Sequence, residues 1–87
     1  MKVTLDEIKQ IFDDLIKERK SREETSDWAI LRQDAEDNED LEYDPPKKEE
    51  IIWRAISYLT GVDLLDLEGN YLHSIDNFID FKKELNI

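Results

Sequence analysis

The chain has 87 residues, with 23 acidic and 12 basic side chains, a formal net charge of −11 and no cysteine. This length supports one small hydrophobic core, and the lack of cysteine excludes disulfides, thiolate metal sites and cysteine nucleophiles. The negative charge repels phosphate backbones and anionic lipids, which predicts that neither nucleic acid nor membrane is a partner.

Two amphipathic helices are predicted in the first part of the chain. Thr4 and Glu7 have the spacing of a capping box at the start of the first helix. Ser21 and Glu24 repeat that spacing, which places the start of a second helix near Arg22. The first helix has apolar residues every three or four positions, typical of one buried face: Leu5, Ile8, Ile11, Phe12, Leu15 and Ile16. The short linker between the two helices predicts an antiparallel hairpin.

The segment DAEDNEDLEYD, residues 34–44, holds seven carboxylates and no lysine or arginine. Such a polar, one-signed sequence cannot bury a helix face, so residues 34–46 are predicted to form an acidic loop or linker. A calcium-binding loop is excluded by its register, because Glu39 stands where glycine is needed and Pro45 where the final glutamate is needed.

The second half predicts a central helix, a short helical turn and a last helix. KKEEIIWRAISYLT has the widest apolar face and predicts the central helix. VDLLDLEGN predicts one helical turn that inserts Leu64, Leu65 and Leu67 into the core. Ser74 is the predicted N-cap of the last helix. The predicted fold class is therefore all-α, a small four-helix bundle in a single domain, residues 1–87, with an acidic loop between helices 2 and 3.

Residues that could perform catalysis are sparse. The single histidine, His73, stands at a junction between a loop and a helix and is interpreted as structural. Gly61 and Gly69 are isolated and form no phosphate-binding loop. The sequence therefore predicts no enzymatic activity, no cofactor and no metal site. No apolar run could span a bilayer and the start has no signal-peptide core, which predicts a cytoplasmic protein.

The acidic composition favours a protein–protein interaction module with a basic partner. Clustered carboxylates speed association with such a partner, and aromatic anchors slow its release. Tyr43 is equally consistent with an exposed anchor and with a tether for the loop. The candidate partner-binding residues are Glu36, Asp37, Glu39, Asp40, Glu42, Tyr43 and Trp53. The alternative function is a scaffold or regulatory subunit that docks through an apolar helix face bearing Trp53. The pattern does not determine the oligomeric state.

Three stretches resemble a group of small, acidic, helical bacterial proteins associated with toxin immunity: SREETSDWA at 21–29, IIWRAISYLTGVDLLD at 51–66 and YLHSIDNF at 71–78. The resemblance implies an immunity or inhibitor protein. Its acidic surface would cover the substrate-binding surface of a basic toxin or nuclease. No functional residue is carried over from that group.

Overall fold

A computed structural model describes all 87 residues as four α-helices, two short β-strands and one 3₁₀ turn. The elements follow in the order β1 (Lys2–Thr4), α1 (Leu5–Ile16), α2 (Arg22–Asp37), β2 (Glu42–Asp44), the 3₁₀ turn (Pro46–Lys48), α3 (Glu49–Leu59) and α4 (Ile75–Leu85). The four predicted helices are confirmed. No helix is long and apolar enough to cross a lipid bilayer.

The predicted all-α class is wrong, because β1 and β2 pair as a parallel two-stranded sheet. Val3 lies opposite Tyr43 in this sheet, and the Val3 side chain is fully buried in the core. Each strand has three residues, which is too short to show the alternation that identifies a strand in a sequence. The sheet anchors the start of the chain to the segment between α2 and α3.

The acidic loop predicted between helices 2 and 3 is also corrected. Residues 34–37 form the last turn of α2, and residues 42–44 form β2. A cis peptide bond joins Asp44 to Pro45, and the 3₁₀ turn then leads into α3. Pairing with β1 gives the backbone of residues 42–44 hydrogen-bond partners that the sequence pattern did not reveal.

Local side-chain signals determine where three helices begin. The Thr4 Oγ1 accepts a 3.0 Å hydrogen bond from the Glu7 N–H, and Glu7 returns the bond to the Thr4 N–H. Ser21 makes the same reciprocal pair with Glu24 at the start of α2. Ser74 caps α4 through the N–H of Asn77. These caps satisfy backbone donors that a helix leaves free in its first turn, and the N-caps predicted at Thr4, Ser21 and Ser74 are confirmed. Asp44, also predicted as an N-cap, lies in β2 instead, and α3 begins after Lys48 without a side-chain cap.

One hydrophobic cluster joins the elements. Helix α1 packs on α3 and α4, while α2 packs mainly on α3 and contributes Ala29. Trp28 lies half-buried on α2, with the guanidinium of Arg32 above its ring. The buried members of the cluster are Val3, Ile8, Ile11, Phe12, Leu15, Ala29, Ile52, Ala55, Ile56, Leu59, Val62, Phe78 and Leu85.

The helical turn predicted before the last helix is wrong. Residues 64–72 instead form a tight hairpin, in which Leu65 and Tyr71 make an antiparallel bridge and the Leu72 N–H donates to the Leu64 carbonyl at 2.8 Å. Gly69 occupies the turn with a φ of 86°, a conformation that glycine adopts without strain. The leucines predicted to insert into the core are exposed to solvent.

Candidate functional site

The carboxylates predicted to bind a partner lie together at one end of the molecule. Glu36 and Asp37 are in the last turn of α2, Glu39 and Asp40 are in the following turn, and Glu42 is in β2. The terminal amine of Met1 donates to the Asp40 carbonyl at 2.7 Å, which attaches β1 to this end. We call residues 34–44 the acidic segment.

Tyr43 is part of the packing at this end. Its hydroxyl donates a 2.8 Å hydrogen bond to a carboxylate oxygen of Glu36, and its ring is half-buried against the core. Burial, followed by the bond to Glu36, raises the pKa of Tyr43 well above its ordinary value. Trp53 lies on α3, half-buried against the core, and forms no hydrogen bond with the acidic segment. A role for these residues in partner binding stays a prediction.

The largest groove in the molecule adjoins the acidic segment. It has a volume of about 470 Å³ and is open to solvent, and its lining is mostly charged: Lys2, Glu42, Tyr43, Asp44, Pro46 and Glu49. Lys2 is paired with Asp44 at 3.5 Å. Nowhere in the chain do three or more histidine or acidic side chains come together in a way that could hold a metal ion. A groove lined so largely by charged, solvated groups lacks the apolar walls of a small-molecule site.

A second charged surface lies where α1 ends and meets α4, and it carries five cations. Three carboxylates lie on it, Asp13, Asp14 and Glu18. Glu7 and Glu23 line the two grooves that Lys20 also lines, so cations and carboxylates are equal in number. Lys9 and Lys17 share the face of α1 that carries Asp13, because they stand four residues before and after it. We call its five cations the basic surface: Lys9, Lys17, Arg19, Lys20 and Lys82.

Two ion pairs organise the basic surface. The Lys82 ammonium donates to Asp13 at 3.0 Å, and the Arg19 guanidinium donates to Asp14 at 2.8 Å. The hydrogen bond and charge of Lys82, with smaller effects of Lys17 and Arg19, hold the pKa of Asp13 below its ordinary value. The pKa of Asp14 is also held below its ordinary value, and the hydrogen bond from Arg19 is the largest cause.

Three cations of the basic surface form no ion pair within the chain. Lys9, Lys17 and Lys20 are exposed and take part in none of the five ion pairs of the chain. Arg22 follows in sequence but is occupied, because its guanidinium donates to the carbonyls of Val62 and His73. Lys9 and Lys17 share one face of α1, and Lys20 lies in the following turn near Asp14. Free ammonium groups such as these bind phosphate oxygens.

The two charged regions lie at opposite ends of α1 and α2. The acidic segment begins at Asp34, 12 residues after Arg22 at the start of α2, which is about 18 Å at 1.5 Å per residue. Screening in physiological salt has a length of about 8 Å. The acidic segment therefore has little influence on an anion that approaches the basic surface.

These features define a small helical protein with a two-stranded parallel sheet. Its acidic segment and its basic surface lie at opposite ends of α2. The chain belongs to the YxzC DNA-binding protein family, whose model matches residues 3–85. It is 36% identical over 64 residues to a protein of Bacillus subtilis (strain 168) named "Uncharacterized protein YxzC". That match covers 74% of this chain and 47% of the relative, so the chain spans about half the length of the curated relative it matches. No solved structure matches the chain.

Family membership corrects three functional predictions. The resemblance to toxin-immunity proteins is wrong, because the chain matches the model of a family described as DNA-binding and neither comparison shows a link to toxin immunity. The predicted function, binding a basic toxin or nuclease through an acidic surface, conflicts with a family described as DNA-binding, and the scaffold alternative gains no support. The exclusion of nucleic acid as a partner conflicts with the same description. The family description names DNA binding and no enzymatic reaction.

The error came from treating the net charge as evenly distributed. A formal charge of −11 predicts repulsion of phosphate only if every face carries it. The stretch KERK at residues 17–20 was the available signal, with three cations and one carboxylate. Lys82 could not be assigned to the same surface, because only the packing of α4 on α1 brings it to Asp13.

Proposed function

We propose that this chain binds DNA through the basic surface and performs no catalysis. Membership of a family described as DNA-binding supports the activity, and the cluster of cations at the end of α1, three of which form no ion pair, supports the location. The ring of the single histidine, His73, packs against Tyr58 with 5.7 Å between ring centroids, and this supports a structural role for it. The predicted single domain, residues 1–87, is part of the proposal, since one buried cluster draws on all four helices.

The proposed contacts are to the DNA backbone. Lysine ammonium groups bind phosphate oxygens as point charges, and such contacts position a protein on DNA without reading its sequence. Lys9, Lys17 and Lys20 are the three cations free to make them. Binding that depends on about three phosphate contacts is weak and sensitive to salt, with a micromolar or higher Kd at physiological salt.

The acidic segment gives the complex an orientation. Its seven carboxylates repel phosphates, so DNA is held at the opposite end of α2, beside the cations of the basic surface. The predicted cytoplasmic location is part of this proposal, because the chain must be in the compartment that holds the DNA it binds.

A pair of neutralising substitutions tests the proposal. We expect the double variant Lys17→Gln with Lys20→Gln to bind a short fluorescent DNA duplex about tenfold more weakly than the natural chain at low salt, and to lower the slope of log affinity against log salt by about two. Fluorescence anisotropy at several salt concentrations measures both quantities. Neither lysine forms an ion pair, so the free energy of unfolding should stay nearly unchanged.

The matched control is Lys47→Gln with Lys48→Gln, which removes the same two charges beside the acidic segment. These lysines also form no ion pair. We expect the control to bind DNA nearly as well as the natural chain. Equal losses in the two variants would mean that net charge alone sets the affinity, and the assignment to the basic surface would be wrong.

A further inference from the structure

The segment between α3 and α4 exposes a group of large apolar side chains. Leu67 is fully exposed, and the other members have between 44% and 57% of their surface in contact with solvent: Leu64, Leu65, Tyr71 and Leu72. We call residues 63–73 the leucine loop. Single exposed apolar residues are ordinary on a protein surface, whereas a contiguous group commonly marks an interaction site.

The leucine loop holds these side chains in place through its own hydrogen bonds. The Asp66 carboxylate accepts from the N–H groups of Glu68 and Asn70, at 2.8 and 3.0 Å, which fixes the tip. The Asp66 N–H donates to the Asn70 carbonyl at 2.7 Å, and the bridge between Leu65 and Tyr71 continues the pairing. The leucines are therefore presented on an ordered hairpin.

Arg22 attaches the leucine loop to the end of the molecule that carries the basic surface. Its guanidinium lies 4.2 Å from the centre of the Tyr71 ring and 4.8 Å from that of Phe78, and it donates to the His73 carbonyl. Lys20 and Tyr71 line the same shallow groove. The exposed apolar group and the basic surface are therefore neighbours.

We propose that the leucine loop is the surface through which two copies of this chain associate. The loop carries three carboxylates that form no ion pair, Asp63, Asp66 and Glu68, and no lysine or arginine, whereas the adjoining turn carries the unpaired ammonium group of Lys20. An apolar centre bordered by both signs of charge is self-complementary under a two-fold axis, since the acids of each copy can meet the cation of the other.

The distribution of charge also selects this end for a second copy. Two chains of charge −11 repel each other most strongly where their acidic segments approach. Contact through the leucine loop keeps each acidic segment about 18 Å along α2 from Arg22, beyond the screening length of about 8 Å. The loop carries three carboxylates against seven in the acidic segment, so two copies repel each other less at this end than at the other.

Association would also strengthen the DNA binding proposed above, and this part of the inference rests on that proposal. One basic surface offers three free cations. In a two-fold pair that engages Lys20 at the interface, Lys9 and Lys17 of both copies stay free, which brings four cations to the same end. Proteins that bind DNA as dimers commonly place two contact surfaces on one side of the duplex. The dimer is therefore expected to have a somewhat steeper salt slope than a monomer, about −4 against about −3.

Sedimentation equilibrium of the full chain, from low micromolar to several hundred micromolar, tests the association. We expect a monomer–dimer equilibrium that added salt does not weaken, because its centre is apolar and salt screens the repulsion between the copies. The double variant Leu65→Gln with Leu67→Gln should raise the dimer Kd at least tenfold. Circular dichroism checks that the variant keeps its helices.

The matched control is Ile30→Gln with Leu31→Gln, which changes two exposed apolar residues on α2, and it should dimerise like the natural chain. A natural chain that stays monomeric at every concentration, or equal losses in the two variants, would overturn the proposal. DNA titration separates the two proposals. A natural chain that dimerises but binds no DNA contradicts only the proposed function. One that binds DNA as a monomer at every concentration contradicts only the dimer.

Discussion

Replacing Arg22 with methionine is expected to destabilise the chain by about 2–3 kcal/mol, because hydrogen bonds from a charged donor contribute about 1.5–3 kcal/mol and a cation above an aromatic ring adds further. Arg22 donates to two carbonyls of the segment after α3 and lies between the rings of Tyr71 and Phe78. Methionine keeps much of the aliphatic length and removes the charge and the donors. Unfolding in urea, followed by circular dichroism, gives the change in free energy.

The control for Arg22 is Arg54→Met, which breaks an exposed ion pair of 3.3 Å with Glu84. Exposed pairs contribute at most about 1 kcal/mol, so the control should unfold nearly like the natural chain. The guanidinium of Arg22 is already hydrogen-bonded within the chain, so its replacement should leave the slope of log DNA affinity against log salt unchanged. Equal effects of the two substitutions on stability would mean that Arg22 does not attach the leucine loop to α2.

Replacing Phe12 with alanine is expected to cost about 3–5 kcal/mol, since removal of a buried aromatic ring leaves a cavity that the surrounding structure fills only in part. Phe12 is fully buried and stacks near the rings of Tyr58 and Phe81, with centroids 6.4 and 6.1 Å away. A domain of this size has a total stability of about 4–13 kcal/mol, so the variant could lose most of it. Urea unfolding at low micromolar concentration measures the loss.

Leu67→Ala is the comparison for Phe12→Ala, and it is expected to change stability by no more than about 0.5 kcal/mol, as exposed substitutions usually do. Leu67 is fully exposed at the tip of the leucine loop, although the sequence pattern predicts it in the core. A loss for Leu67→Ala as large as that for Phe12→Ala would show that the leucine loop packs into the core and that its hairpin arrangement is incorrect.

The helices could be predicted from the sequence because their signals are local. A capping box needs only residues three positions apart, and Thr4 with Glu7 satisfies that condition in the sequence itself. The spacing of Ile8, Ile11 and Leu15 likewise predicts the buried face of α1. Contacts of this kind depend on the helix alone, so the tertiary structure did not alter them.

The sheet and the leucine loop could not be predicted because long-range or turn geometry determines them. Val3 and Tyr43 pair across the whole of α1 and α2, and neither strand has enough residues to reveal a pattern. In the leucine loop, the choice between a helical turn and a hairpin depends on the bonds of Asp66 and the turn at Gly69. The apolar side chain of a residue such as Leu67 favours a place in the core, but the hairpin exposes this side chain to solvent.

The candidate site was missed because its charges are dispersed. Seven carboxylates in eleven positions are obvious in the sequence, whereas Lys82 becomes a neighbour of Asp13 only after α4 packs on α1. Lys9 and Lys82 also lie far from the KERK stretch along the chain, so the sequence does not show the cations as one group. Folding separates the two signs along α2, and that separation is a property of the tertiary structure.

The salt dependence of DNA binding by the natural chain tests the central claim most directly. Fluorescence anisotropy of a short duplex should show binding at low salt, with a slope of log affinity against log salt of about −3 for a monomer and about −4 for a dimer. Such slopes match the free lysines that the proposal brings to phosphates, which are Lys9, Lys17 and Lys20 of a monomer and Lys9 and Lys17 of each copy in a dimer. No binding at low salt and several hundred micromolar protein, or binding that is indifferent to salt, would contradict the proposal that the basic surface binds DNA.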